Sequence, residues 1–209
     1  MALLDDPIIS APTISQSSFH NVLVNAGSPM AAESNSIYAA FTAKGVNPAI
    51  GLAIAQHESG FGKLGIAVGR NNPYGDRYYN QAGATNKGGW AAFTSYTAAA
   101  KYEAGLLASS SYGSGSKYNT ARTFAYRYAP SSDGNSPANY GSAVVSLLQK
   151  WGATGGVAYK GAPAGSTTAK SRATTAKPAA KPAAAPASHK KAAAVGAGIG
   201  GAVILALII

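Results

Sequence analysis

The most informative part of the chain is residues 53–75, which read AIAQHESGFGKLGIAVGRNNPYG. It continues an apolar helix that Asn47 caps and Pro48 begins, because asparagine favours the N-cap and proline the first helical position. Gly60 is predicted to end this helix, since glycine accepts the left-handed conformation found after many helix ends. Glu58 is therefore expected at the C-terminal end of a predominantly apolar helix, directly before a glycine-rich loop.

The position of Glu58 suits acid chemistry. A carboxyl group held against apolar neighbours is harder to ionise, so it can stay protonated and serve as a general acid. Cleavage of a glycosidic bond needs such an acid at the leaving oxygen. A lone glutamate at a helix end is, however, more often a solvated or capping residue. From the residues alone, both interpretations of Glu58 stay open.

Two motifs in this stretch resemble those of the glucosaminidase family of peptidoglycan hydrolases. Residues 58–62 read ESGFG and follow LAIAQ at 52–56, which is similar to the E-S-G-aromatic-G turn that ends a helix in that family. Residues 71–75 read NNPYG and look like the family's N-N-x-aromatic-G loop. The two motifs occur in the family's order and at the family's spacing.

Two later segments extend the resemblance to roughly residues 35–152. FTSY at 93–96 is similar to the family's F-x-x-Y segment before a helix, and residues 128–140 look like its closing tyrosine-bearing stretch. The chain departs from the family's pattern at Pro73, where an aliphatic residue is usual. It departs again at residues 76–77, where Asp-Arg replaces a hydrophobic-basic pair.

The resemblance implies both a fold and an activity. The fold is expected to be mainly α (α+β), lysozyme-like, with a small β lobe over a cleft. The implied activity is hydrolysis of the β-1,4 glycan backbone of peptidoglycan, as an endo-β-N-acetylglucosaminidase with Glu58 as the general acid. A muramidase or lytic transglycosylase on the same fold is one alternative, and an inactive cell-wall-binding or structural module is another.

The resemblance leaves the second catalytic group open. The family's second carboxylate is variable, and some members are thought to use the 2-acetamido group of the substrate instead. Of the seven acidic residues in the chain, Asp76 and Asp133 are the candidates for a general base. Asp76 is preferred, although Arg77 could hold it in a plain ion pair. Tyr128 resembles the family's tyrosine placed near the reacting sugar. Substrate contacts are expected from Asn72, Tyr74, Tyr96 and Tyr140, since aromatic faces pack on sugar rings.

Other chemistries find little support in the sequence. The chain has no cysteine, which removes thiol nucleophiles and thiolate metal sites. Its three histidines form no pattern of metal ligands, so we expect neither a metal nor a cofactor. His57 precedes Glu58, but neighbouring helical residues point about 100° apart, so we expect the two side chains not to share a site.

Composition divides the chain into four parts. We expect an N-terminal arm, a catalytic domain, a disordered basic Pro/Ala-rich linker and a transmembrane helix, over residues 1–15, 16–154, 155–191 and 192–209. Within the domain, apolar spacing predicts further helices over 31–44, 98–109, 118–128 and 140–151. Residues 60–92, rich in glycine and asparagine, are expected to form loops and a short hairpin.

The last 18 residues contain no charged or polar side chain and follow Lys190 and Lys191. As a helix they would rise about 27 Å, enough for a thin bilayer. A buried core helix is the alternative, but the linker leaves this run nothing to pack on.

The basic linker is expected to attract anionic lipid head groups. Nucleic acid is not expected as a partner, because the basic linker has no aromatic side chain for base stacking apart from Tyr159. Gly196 and Gly200 are spaced for homo-oligomers of the helix.

The location of the chain is harder to predict. No secretory signal precedes the domain, and the positive-inside tendency places Lys190 and Lys191 on the cytoplasmic side, although peptidoglycan lies outside. We expect a single-pass membrane protein with a C-terminal anchor, carried in the virion of a membrane-containing virus. Cytoplasmic storage until lysis and export of the domain after tail-first insertion are the alternatives.

Overall fold

The structure, a computed structural model, describes residues 6–155. Within these residues the fold has six α-helices and one two-stranded antiparallel sheet, joined by loops with three short 3-10 turns. The helices are α1 (Gln16–Asn25), α2 (Ser34–Thr42), α3 (Pro48–Ser59), α4 (Tyr96–Leu107), α5 (Ala125–Tyr128) and α6 (Pro137–Lys150). The strands are β1 (Ala84–Lys87) and β2 (Trp90–Phe93), and the 3-10 turns are Pro29–Glu33, Gly65–Ala67 and Ser131–Asp133.

Helix α3 is the central element. Nine of its 12 residues are buried, and it packs on α1, α2, α4 and α6. A helix that is apolar on all sides belongs in the interior, so the other helices form a shell around it. Its ends follow the sequence prediction: the Asn47 side chain accepts a hydrogen bond from the N–H of Ala49, and Gly60 is left-handed with φ 55°.

The β lobe, residues 63–93, covers the C-terminal end of α3. Its hairpin pairs Ala84 with Phe93 and Lys87 with Trp90. Arg77 adds an isolated antiparallel bridge to Trp90, so the chain after the NNPYG loop lies beside β2. The expected mainly α fold with a small sheet is confirmed for the described residues.

The helices expected near residues 31–44, 98–109 and 140–151 are present as α2, α4 and α6. The helix expected over 118–128 is wrong except for its last turn, α5. Upstream of α5, the backbone is occupied by the docked residues 6–15. The N–H of Ile8 donates to the carbonyl of Asn119 (2.8 Å), and the N–H of Ala121 donates to the carbonyl of Asp6 (2.9 Å).

Helix α1 has no counterpart among the sequence-based expectations. Its signals are local: Ser15 caps it by accepting from the N–H of Ser18, and Phe19 and Leu23, four residues apart, are its buried side chains. Serine-rich composition hides this short apolar stripe from a search for longer periodic runs.

The predicted linker and transmembrane helix lie outside the described residues, apart from Gly155. No helix between residues 6 and 155 is both long enough and apolar enough to cross a membrane.

Two helical glycines allow a matched test of core packing. A Cβ on Gly51 of α3 would lie 2.6 Å from Cε1 of Phe41, and closer still to another atom of that ring, whereas a Cβ on Gly105 of α4 would meet nothing within 4 Å. We predict that Gly51→Ala lowers the free energy of unfolding by about 1–3 kcal/mol through overpacking. Gly105→Ala should leave it unchanged or raise it by up to ~1 kcal/mol through helix propensity. Urea unfolding of the full chain, followed by circular dichroism, measures both; equal effects would contradict the packing of α3 on Phe41.

Candidate active site

A cleft of about 220 Å³ lies where α3 ends beneath the β lobe. Its lining combines the last turn of α3 with the 3-10 turn at residues 65–67, the start of β2 and the start of α6. Among its lining residues are Glu58, Ile66, Asn72, Trp90, Asn135 and Tyr140. Glu58 contributes the only carboxylate that lines the cleft within the described residues.

Tyr140 of α6 holds the Glu58 carboxylate. Its hydroxyl donates to Oε1 of Glu58 over 2.7 Å. Burial raises the pKa of Tyr140 well above its ordinary value of 10, and the nearby charge of Glu58 adds to this effect. The phenol therefore stays protonated and remains a donor throughout the neutral range. Its ring packs edge-on against Phe124, so the position of the hydroxyl is set by the core.

His57 belongs to the same cleft, and the expectation that it would not share a site with Glu58 is wrong. Its ring lies 4.2 Å from the ring of Tyr140, centroid to centroid, and it lines the cleft. Successive helical residues do diverge by about 100°. The tyrosine ring, however, comes from another helix and is large enough to contact both side chains.

The ESGFG turn joins the helix end to the loop that follows. The Ser59 hydroxyl accepts the N–H of Gly62 (2.8 Å) and is within 2.8 Å of the carbonyl of Pro73, to which it donates. Gly60, Phe61 and Gly62 all have positive φ, at 55°, 64° and 81°. A Cβ on Gly62 would also lie 3.1 Å from the ring of Tyr96. The glycines therefore permit a reversal that would strain most other residues.

Asn72 lies in the wall of the cleft, and its amide is engaged by backbone. Nδ2 donates to the carbonyls of Asp76 (2.8 Å) and Ala91 (2.9 Å), while Oδ1 accepts the N–H of Asp76 (2.9 Å). These bonds tie the NNPYG loop to β2. The structure therefore shows Asn72 as a joint between two elements of the β lobe.

The other residues singled out from the sequence do not line the cleft. Tyr74 is fully buried and packs edge-on against Phe41. Its carbonyl accepts a hydrogen bond from the hydroxyl of Tyr128 (3.2 Å), which is itself buried. Asp76 and Tyr128 line a separate small cavity. Tyr96, at the start of α4, is half-buried and does not line the cleft.

Of the residues predicted from the sequence, Glu58, Asn72 and Tyr140 line the cleft, whereas Asp76, Tyr74, Tyr96 and Tyr128 do not. The structure also adds cleft residues that the sequence analysis did not select, notably Trp90, Ile66 and Asn135. The sequence could have pointed to Trp90, because it is one of only two tryptophans and follows a Gly-Gly pair. Ile66 and Asn135 lie in loops without a pattern of their own.

Comparison with known proteins agrees with this geometry. The Glucosaminidase family, described as mannosyl-glycoprotein endo-beta-N-acetylglucosaminidase, matches residues 34–153, which is more than half of the chain. The match spans α2 to α6 and includes the whole cleft. No curated protein and no solved structure matches the chain significantly. The chain therefore belongs to the Glucosaminidase family, as a glucosaminidase-type peptidoglycan hydrolase.

Proposed function

We propose that the chain is an endo-β-N-acetylglucosaminidase that hydrolyses the β-1,4 glycan backbone of peptidoglycan, with Glu58 as its general acid. The observation that carries this proposal is the contact between Tyr140 and Glu58. A buried tyrosine from α6 holds Oε1 of a cleft carboxylate over 2.7 Å, so the carboxyl group has a fixed orientation toward the space where a glycan would bind.

The hydrogen bond from Tyr140 also gives the two carboxyl oxygens of Glu58 different roles. Tyr140 donates to Oε1, and because a protonated carboxyl carries its proton on one oxygen, Oε2 is the one left to hold it. In the proposed step Oε2 gives that proton to the glycosidic oxygen while the bond from this oxygen to C1 of the sugar breaks. The carboxylate that results can then accept a proton from the incoming water.

The second group of the reaction is proposed to be the 2-acetamido group of the substrate. Two-carboxylate glycosidases place their carboxyl groups about 5 to 9.5 Å apart across the scissile bond. Here Asp76 lines a different cavity from Glu58, which supports participation of the acetamido oxygen as the nucleophile at C1. Water then opens the cyclic intermediate and restores the acetamido group.

The assignment of Glu58 is tested by Glu58→Gln, which keeps the size of the side chain and removes its proton. We predict a fall in turnover of at least ~100-fold with folding unchanged. The assay measures new reducing ends released from purified peptidoglycan. Glu33→Gln is the matched control, because Glu33 caps α4 through Thr97 and lies outside the cleft. Wild-type turnover by Glu58→Gln would show that Glu58 is not the acid.

The same assay distinguishes the remaining alternatives. Mass spectrometry of the products names the bond, since a glucosaminidase leaves N-acetylglucosamine at the new reducing end and a muramidase leaves N-acetylmuramic acid. Wall binding without release of any soluble glycan fragment would identify a binding module, whereas fragments that end in 1,6-anhydro-N-acetylmuramic acid would identify a lytic transglycosylase. A loss with Asp76→Asn as large as with Glu58→Gln would make Asp76 the base, whereas a mild loss together with inhibition by a thiazoline would support the acetamido route.

The role of Tyr140 is tested by Tyr140→Phe, which keeps the ring and removes the hydroxyl. Hydrogen bonds to charged groups contribute about 1.5–3 kcal/mol, so we predict that kcat falls by about 10- to 100-fold while KM changes little. Tyr38→Phe is the control, since it removes a comparable hydrogen bond, to the carbonyl of Ile14 (3.0 Å), away from the cleft. An unchanged kcat for Tyr140→Phe would contradict the proposed orientation of Glu58.

We further propose that residues 192–209 anchor the chain in a membrane, in keeping with their uniformly apolar composition after Lys190 and Lys191. The virion of a membrane-containing virus is the proposed location, because its membrane would hold the anchor while the particle carries the domain to a host wall. Pairing of the anchors through Gly196 and Gly200 is proposed as the route to an oligomer.

Removal of residues 156–209 tests the anchor. We predict that the shortened chain folds and cleaves peptidoglycan, because Gly155, the last residue retained, still bonds to Asp6. The full chain should sediment with lipid vesicles and stay bound in high salt, since apolar insertion is not screened by ions. Release by salt alone would instead indicate adsorption through the basic linker, and failure of the shortened chain to fold would indicate that the apolar run packs on the domain.

A further inference from the structure

Trp90 is an aromatic side chain that the protein core does not use. It is half-buried at the start of β2 and lines the cleft with Glu58 and Tyr140. The other tryptophan, Trp151, packs against the hydrophobic core, whereas Trp90 is not part of that cluster. Its indole N–H has no hydrogen-bond partner within the described part of the chain. A large apolar ring in this position contributes little to the interior, so its use is to be sought in the cleft.

Arg77 fixes the orientation of the Trp90 ring. Its guanidinium carbon lies 3.8 Å from the ring centroid, a close cation–π contact. Arg77 does not line the cleft, so the face that it covers is turned away from the cleft. A Cβ on Gly89 would lie 3.4 Å from Nη1 of Arg77, so glycine leaves the guanidinium room.

The backbone also holds Arg77 and Trp90 next to each other. Arg77 and Trp90 form an antiparallel bridge, flanked by hydrogen bonds from Tyr78 to Gly89 (3.1 Å) and from Ala91 to Asp76 (3.0 Å). The ring is therefore held by its strand and by a cation on one face. An aromatic ring held in this way loses little conformational freedom when a ligand packs on it.

We propose that Trp90 is the stacking platform for an N-acetylhexosamine ring of the glycan, and that Arg77 is the positioning residue that sets the angle of this platform. The proposal rests on the proposed glycosidase function, since it places the sugar beside Glu58. A β-linked pyranose presents a face of C–H groups that packs on an aromatic surface, and its hydroxyls can accept from an indole N–H. Trp90 offers both kinds of contact at one wall of the cleft.

Binding is measured with chitotetraose, a β-1,4-linked N-acetylglucosamine tetramer, and turnover with solubilised uncrosslinked glycan strands. For the full chain carrying Trp90→Ala, we expect Kd and KM to rise about tenfold while kcat changes little, because the platform binds ground state and transition state alike. Trp90→Leu retains apolar volume without the aromatic face and should show most of the same loss. Circular dichroism and thermal unfolding verify that each variant is folded.

Fluorescence reports the contact directly, because the chain has only two tryptophans. Chitotetraose should change the emission of the wild type and of Trp151→Phe, but not that of Trp90→Phe. If the wild type does not bind the tetramer, the KM values for glycan strands decide the matter instead. Wild-type Kd or KM in folded Trp90→Ala and Trp90→Leu would overturn the proposal.

A double-mutant cycle tests Arg77. Arg77→Gln should raise KM about threefold in the wild-type background and should have no further effect in Trp90→Ala, because its influence passes through the indole ring. Lys101→Gln removes an exposed cation from α4, outside the cleft, and should leave KM unchanged, which controls for loss of positive charge. Equal effects of Arg77→Gln in both backgrounds would remove its positioning role.

The experiments distinguish failure of the Trp90 proposal from failure of the proposed glycosidase function. If Glu58→Gln keeps full turnover while Trp90→Ala loses binding, the acid is assigned wrongly and the platform stands. If Glu58→Gln is inactive and Trp90→Ala binds normally, the acid stands and the platform is wrong.

Discussion

A largely buried helix has to stop inside this protein, and the cleft exists because α3 stops at Ser59. The last carbonyls of a helix need donors, and here the chain turns back on itself to supply them: the N–H groups of Gly60 and Phe61 donate to the carbonyls of Gln56 and Ala55. Three consecutive residues with positive φ make this reversal possible. The reversal leaves Glu58 at the edge of the core, with apolar packing behind it and open space in front.

The surrounding elements divide into those that hold the carboxylate and those that hold the loop over it. Helix α6 carries Tyr140 to Glu58, and its ring is placed by aromatic packing in the core. Ser59 and Asn72 join the helix end, the NNPYG loop and β2 through their hydrogen bonds. The conspicuous polar residues of the two motifs are therefore largely structural, and one carboxylate in the cleft is left to the proposed chemistry.

Two further buried acids, Asp76 and Glu103, lie among tyrosines behind the cleft. Burial raises the pKa of Tyr74 and of Tyr128 well above the ordinary value, and the charge of Glu103 is the next cause. These phenols stay protonated, and the hydroxyl of Tyr128 donates to the carbonyl of Tyr74 within the interior. None of these four side chains lines the cleft, but the ring of Tyr128 lies 6.0 Å from that of Tyr140, centroid to centroid, so the group supports the position of the site from the core.

Features that depend on a few neighbouring residues could be predicted from the amino-acid sequence. Asn47, Pro48 and Gly60 set the ends of α3 through capping and φ preferences, which act within one helical turn, and so place Glu58 at its C-terminal end. The family motifs extended this local information to the mainly α class and to the glucosaminidase-type domain. The side chains that face Glu58, in contrast, come from distant parts of the chain and are known only from the tertiary structure. Tyr140 is 82 residues away in the chain. Trp90 reaches the cleft from the β1–β2 hairpin, and its ring stacks on Arg77. Tertiary packing also buries Tyr74, Asp76 and Tyr128. Near Asn119 the backbone forms hydrogen bonds with the N-terminal residues and does not form the predicted helix. Such contacts follow from how distant elements fill one interior, which no local spacing encodes.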